Sequence, residues 1–430
     1  MTAFRTFLVT LLALLSAAPT FAAEPAAPPG PAILHLETAD EALAEDAGEF
    51  ARTMNLDSAE ALRRLRAQEG SVAATDALRT EFADRLAGLS IQHEPDYRIV
   101  VLLTGDQPVR DRFISAGGSV IPVEFRTGAV ATYEQLFAAL RKNQASIRQA
   151  FPKAQGLGVD PRTGSIVVLL RMSATDPFDR AQMEDRLSFI AGVPVIIRDL
   201  DVRDENFVIE GGARLIGVDP RDGKKYACTT GFVVTNNGQT GVLTAAHCPD
   251  ELTYYSPDGK TVPLTMIGAW GAVYQDVQIH TTTERQDPAF YVDRAEKEAR
   301  PLLASRARAS TRAGDVVCHR GNSSGYSCSI VDLVDYAPPG DLCAGPCEPV
   351  WVSVAGPNCR GGDSGGPIFL GTTAFGIVKG GSYNADGACN FYYYMSLDYL
   401  PEGWSPLFDR GTPQGTAITS GSRRTSGAAR

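Results

Sequence analysis

A chain of 430 residues, 44% hydrophobic and 21% charged, is long enough for about two or three domains with real cores. Its formal charge of -10 and pI near 5.1 exclude a surface built for nucleic acid or an anionic membrane, which would need clustered Lys and Arg facing the polyanion.

In chain order, MTAFRTFLVTLLALLSAAPTFAAEP opens with one Arg, an apolar run from Phe7 to Leu15 and small residues ending at Ala22 and Ala23. This is the layout of a secretory signal peptide over residues 1–23. The run is too short for a comfortable span and no other long apolar segment exists, so export without stable membrane insertion is expected, to the periplasm or the medium. Around 40–90, DEALAEDAGEFARTMNL and DSAEALRRLRAQEG place Leu and Ala at helical spacing among charges, which predicts surface helices. YRIVVLLTG (97–105) and GSVIPVEF (118–125) are β-branched runs bounded by Gly and Pro and predict strands. TYEQLFAALRKNQASIRQAF predicts an amphipathic helix opened by Thr132, with Gln135 at the capping-box position. GVDPRTGSIVVLLRM then predicts a turn into a strand, RAQMEDRLSFIAG a helix and VPVIIRDLD a last strand. The phrase GVDPRTG (158–164) returns as GVDPRDG (217–223), which predicts two similar hairpin turns and not a duplicated domain.

From about Phe207 the texture changes to short β-rich runs separated by Gly, Asn, Asp and Pro. TGFVVT, TGVLTAA, DVQIH, GDVVC, CSIVDLVDY, PVWVSVAG, GPIFL, AFGIVKG and NFYYYMSL predict an antiparallel sandwich or barrel, with Asn237-Gly238 as a tight hairpin. Residues 409–430 lack the apolar side chains that would offset ordering and are expected to be disordered. All eight cysteines lie between Cys228 and Cys389, an even count that predicts disulfides in an exported chain. Only Cys343 and Cys347 form a close pair, so no zinc site, other metal or cofactor is expected.

The stretch NCRGGDSGGP (358–367) reads either as a glycine-rich turn or as the setting of a nucleophilic Ser364. Gly362-Asp363-Ser364-Gly365-Gly366 also fits the strand-to-helix elbow of α/β-hydrolases. A serine hydroxyl needs a base to take its proton and a third group to orient that base. The five histidines are His35, His93, His247, His280 and His319; none follows Ser364, so the α/β-hydrolase order fails. His247 lies in GVLTAAHC, at the end of a predicted strand.

TAAHC followed downstream by GDSGGP resembles the chymotrypsin-fold serine proteases, and VCHRGNSSGYSC (317–328) resembles a disulfide hairpin of their secreted bacterial branch, represented by streptogrisins and α-lytic protease. The resemblance implies an all-β catalytic domain over 208–408, a chymotrypsin-like double six-stranded antiparallel β-barrel. An α+β pro-region would precede it, helical over 24–94 and α/β over 95–207, acting as the domain's own folding assistant and inhibitor. His247 would be the base, Ser364 the nucleophile and Asp276, which opens DVQIH, the orienting carboxylate, with Asp287 as the alternative. The N–H groups of Gly362 and Ser364 would form the oxyanion hole, and Asp363 would fix their loop by an ion pair with Arg320. The implied disulfides are Cys228 with Cys248, Cys318 with Cys328 and Cys359 with Cys389, leaving Cys343 with Cys347 as an extra bridge.

Gly380 and Gly381 would line the specificity pocket and hydrogen-bond an extended polypeptide substrate, with Asn358 near the pocket base. Lys379, beside them and grouped with them among the substrate-binding residues, stands where relatives usually carry a serine; it either pairs with Asp276 or points to solvent. No acidic residue marks the pocket, so strict cleavage after Lys or Arg is not expected. A mature N-terminus at Val208 or Ile209 would mean a cut after Phe207 or Val208 and an apolar specificity. The expectation is a secreted monomeric endopeptidase. The rivals are a non-catalytic binding protein on the same scaffold and an esterase.

Overall fold

A two-residue strand, His35–Leu36, and three helices open the described chain. The structure, a computed structural model, describes residues 35–410 apart from 172–178, 201–202, 207–213, 221, 256–260, 293–297, 357 and 384–387. The expected signal peptide (1–23), the cut next to Phe207, Val208 or Ile209, and the tail beyond 410 lie outside the described residues.

Helix α1 (Ala39–Met54) starts in a capping box in which Glu41 N donates to the Thr38 hydroxyl and Thr38 N donates to the Glu41 carboxylate at 2.9 Å. Asn55, in the left-handed region at φ 52°, ends it. Helix α2 (Ser58–Gly70) is capped by Asp57, and α3 (Val72–Glu81) follows at once. The helical periodicity is as the sequence predicts, but these are not merely surface helices. Ala42, Ala47 and Phe50 of α1 and Ala61 and Leu65 of α2 are buried, and all but Ala42 belong to the cluster that includes Val317, Leu333 and Phe369. Alanines at helical spacing bring a helix backbone close to its neighbour, which composition alone reads as weak amphipathicity.

A four-stranded sheet comes next, in the order Leu86–Gln92, Arg98–Thr104, Ser119–Ala129, Arg112–Ala116, with the central pair parallel. Helix α4 (Tyr133–Ala150) has the expected Thr132–Gln135 capping box and buries Leu136, Leu140 and Ile147. These pack with Val159, Val168 and Leu187, the last from α5 (Arg180–Ala191). The hairpin Ala154–Asp160 with Ser165–Arg171, joined in parallel by Val195–Leu200, completes the N-terminal region.

The two GVDP phrases do form alike turns. Gly164 N donates to Asp160 O at 3.0 Å in one hairpin, and Gly223 N donates to Asp219 O at 2.8 Å in the other, between Arg214–Val218 and Lys225–Thr229. Asn237 and Gly238, at φ 49° and 87°, turn the chain between Val233–Asn236 and Gln239–Thr244, as that dipeptide predicts.

The predicted β-runs after residue 207 all become strands. The first part folds as two antiparallel sheets, one holding Arg214–Val218, Lys225–Thr229, Leu252–Tyr255 and Thr261–Pro263. The other holds Thr265–Trp270, Val277–Thr281, Gln239–Thr244, Val233–Asn236 and Ser405–Pro406. The second part closes: Val316–Gly321, Pro367–Leu370, Thr373–Tyr383, Cys389–Ser396, Trp351–Ala355 and Gly325–Ala337 pair in turn, and the last pairs back with the first. Trp351, Tyr336, Phe369 and Ile377 of this six-stranded antiparallel barrel are buried in the main hydrophobic cluster, which also takes in Phe50, Leu65, Phe232 and Phe290. The four disulfides are Cys228–Cys248, Cys318–Cys328, Cys343–Cys347 and Cys359–Cys389.

The two regions are knitted together. Strand Ala154–Asp160 continues the barrel's sheet by pairing with Gly325–Ala337, Val159 opposite Asp335 and Leu157 opposite Ala337. Asp332 on that barrel strand receives Arg162 and Arg198 from the N-terminal region, each at 2.6 Å. Arg300, fully buried, is held by Glu37 at 2.9 Å, by Asp46 at 2.7 Å and by Glu45.

Candidate active site

Strand Gln239–Thr244 carries Leu243 into the core and ends just before Ala245; Cys248 N then donates to Ala245 O at 3.1 Å, and the Cys228–Cys248 bridge ties the turn down. That turn presents His247, whose side chain is 18% exposed. Asp276, 2% exposed, precedes strand Val277–Thr281, whose Val277 and Ile279 are core residues. Its Oδ1 accepts the His247 backbone N–H at 3.1 Å and its Oδ2 lies 2.8 Å from His247 Nδ1. A carboxylate can only accept there, so the ring proton is assigned to Nδ1, which leaves Nε2 as an acceptor. Nε2 is 2.8 Å from Ser364 Oγ. The structure thus brings His247, Asp276 and Ser364 together, whereas Asp287 pairs with Arg285 on its own exposed loop at 2.6 Å.

The loop bearing Ser364 is held from every side. Thr229 N donates to Ser364 O at 2.9 Å, Gly365 N to Val378 O at 2.8 Å and Gly366 N to Asp363 O at 2.9 Å. Gly365 has φ +82°, and a Cβ there would lie 2.2 Å from Thr244 Oγ1 and 2.6 Å from Thr229 O, so only glycine fits. Gly362, at φ 98°, turns its carbonyl to the Thr229 hydroxyl at 2.7 Å. Among the described residues the N–H groups of Gly362 and Ser364 donate to no backbone carbonyl.

The Asp363 carboxylate is buried and collects three backbone donors, Arg360 N at 2.8 Å, Ser323 N at 2.9 Å and Ser324 N at 3.0 Å. These tie the Ser364 loop to the 318–328 hairpin. Arg320 of that hairpin is buried and its guanidinium donates to the neighbouring Gly321 carbonyl. His319 beside it is buried against Tyr392, ring centroids 4.7 Å apart, and burial pushes its pKa below the usual histidine value.

Gly380 and Gly381 lie on strand Thr373–Tyr383 and face a strand from the N-terminal region. Arg203–Asn206 runs antiparallel to them, with Asn206 opposite Gly380 and Glu205 opposite Gly381. Asn358 is exposed beside Cys359. Lys379 turns inward: it is 2% exposed, with Nζ 3.2 Å from Asp276 Oδ2 and 5.0 Å from the Trp351 ring centroid. Burial pushes the Asp276 carboxyl up, but the His247 ring and the Lys379 ammonium beside it outweigh this and hold the group well below the usual carboxylate range. Thr229 and Trp351, which shape the site, carry no sequence signal; each is an ordinary strand residue until its partners are in place.

No family model matches the chain. It is 26% identical to Streptogrisin-C of Streptomyces griseus over 177 residues, an alignment covering 39% of this chain and 35% of that protein. The chain thus spans about a third of the length of this curated relative. Among solved structures it is similar to Protease A of Thermobifida fusca, at 20% identity, 47% of this chain, 99% of that chain and a TM-score of 0.36. It is similar also to the Nocardiopsis protease, at 22% identity, 44% and 93% coverage and a TM-score of 0.33. The β-rich half has the chymotrypsin-like fold of bacterial serine proteases.

Proposed function

We propose that the chain is the precursor of a secreted serine endopeptidase. The observation that carries this is the continuous relay in which Ser364 Oγ, His247 and the buried Asp276 are linked by two contacts of 2.8 Å. Ser364 Oγ attacks the scissile carbonyl while His247 Nε2 takes its proton, and Asp276 holds the imidazole in the required tautomer. The oxyanion that develops is bound by the N–H groups of Gly362 and Ser364, preorganised by the Asp363 anchor and supported by Arg320. His247 then protonates the leaving amine, and water taken through the same base frees the acyl group from Ser364. An extended substrate pairs with Gly380 and Gly381, so the acyl side of the cleft reads backbone, and Asn358 borders the side-chain pocket.

In the precursor that backbone position belongs to Arg203–Asn206, and Ser364 is fully buried. The N-terminal region therefore acts as inhibitor. Its shared sheet with the barrel and its ion pairs to Asp332 and Arg300 make it a folding template as well, because they supply contacts for strands that are far apart in sequence. Export is supported by the signal-peptide layout and the four disulfides. Among the described residues no helix is long and apolar enough to cross a membrane.

The test is fluorophosphonate labelling of secreted protein together with sequencing of its N-terminus. Wild type should be labelled and begin near Val208, and Ser364→Ala should be unlabelled and remain uncut. Labelling that survives Ser364→Ala removes the nucleophile assignment.

A further inference from the structure

Lys379 occupies the extra position of a β-bulge. On strand Thr373–Tyr383, Val378 pairs with Tyr394 and Gly380 with Tyr393, so one residue is inserted between two consecutive partners. A bulge re-aims the inserted side chain and increases the local twist. Here it drives a lysine into the interior, where an unpaired ammonium would be costly. Two groups receive the charge: the face of Trp351 and Asp276 Oδ2, the same oxygen that contacts His247 Nδ1.

We propose that Lys379 is a positioning residue of the triad, which shares the Asp276 carboxylate with His247 and sets its own positive charge against a second one on the imidazole. The proposal rests on the protease reading above and deepens it. The groups that face the Asp276–His247 pair come from several elements. They are Lys379 from its strand, Ser364 from its loop, the uncharged Trp351 ring, and Met395, whose sulfur accepts the Asp276 N–H at 3.3 Å. Lys379 is the cation of this set. A protonated imidazole would bring a second positive charge to a carboxylate already neutralised by the first. The ammonium therefore opposes protonation of His247, while its hydrogen bond fixes the carboxylate's position. A unit charge about two hydrogen-bond lengths away, at the effective dielectric of a protein interior, moves a pKa by about two units.

The test is the pH profile of kcat/KM on a peptide amide substrate for secreted, processed protein. Lys379→Met should move the midpoint of the acid limb up by about two pH units, and Lys224→Met, which removes an exposed cation, should leave it in place. An unchanged midpoint in a Lys379→Met protein that still takes the fluorophosphonate label overturns the proposal and leaves the protease reading intact. Absence of label in wild type overturns the reading on which both rest. Should Lys379→Met fail to fold, Lys379→Gln, which keeps a polar arm of similar length without the charge, is put through the same profile: its acid midpoint should rise likewise, and an unchanged one overturns the role.

Discussion

Asp46 is the most consequential residue of the N-terminal region's grip on the barrel. Its carboxylate is fully buried and accepts from Arg300 Nη1 at 2.7 Å, from the Tyr326 hydroxyl and from the Gly371 N–H. Asp46→Ala would leave the tyrosine hydroxyl and the glycine N–H without that acceptor, at about 1–3 kcal/mol each. Arg300 would keep Glu37 and Glu45, so its charge would not be orphaned. The two stranded donors together give an expected loss of about 2–6 kcal/mol. The measurement is urea denaturation at neutral pH in the Ser364→Ala background, where the chain stays in one piece, followed by fluorescence of Trp270, Trp351 and Trp404. The midpoint should fall by about 1 M. Asp40→Ala, an exposed carboxylate in the first turn of the same helix, should cost less than about 1 kcal/mol. A loss below about 1 kcal/mol for Asp46→Ala would refute the idea that this network fastens α1 to the barrel.

Asp276→Asn should keep the fold and lower kcat by about 10³–10⁴ with little change in KM, because an amide can donate to His247 Nδ1 and so favour the wrong tautomer. A loss under tenfold in ester hydrolysis would unseat Asp276. His280 is fully buried, and burial, offset in part by Asp250, lowers its pKa to about 4. Its folded pKa lies below the unfolded value, so its part of the stability is complete above about pH 6.5 and is lost as the pH falls towards 4. The shift corresponds to roughly 3 kcal/mol. His280→Leu should flatten the decline in urea stability between those pH values by about that amount, and an unaltered decline would contradict it.

Much of the site was legible because its signals are local. The Ser364 loop is spelled by consecutive glycines, His247 ends a strand and precedes a cysteine, and chain order alone disposed of the α/β-hydrolase elbow. The anchor of Asp363 was legible only in outline, since backbone N–H groups of Arg360, Ser323 and Ser324 have no sequence signature. Strands Leu86–Gln92 and Arg112–Ala116 were not read at all; the first contains Gly88 and polar Ser90 and Gln92, and it gains its regularity from pairing with Arg98–Thr104.

By itself the sequence determined what depends on neighbours a few residues apart: the Thr132–Gln135 capping box, the Asn237-Gly238 hairpin, the two Asp-Pro turns and the run of short β-segments. Each is set by backbone preference or a side chain reaching its own turn, and neither needs the rest of the chain. Only the tertiary structure decided the direction of Lys379, the choice of Asp276 over Asp287 as the neighbour of His247, and the continuation of the barrel's sheet by Ala154–Asp160. All three hang on contacts between segments distant in the chain, where register, a single bulge and the cost of burying charge choose among arrangements that local sequence leaves equal.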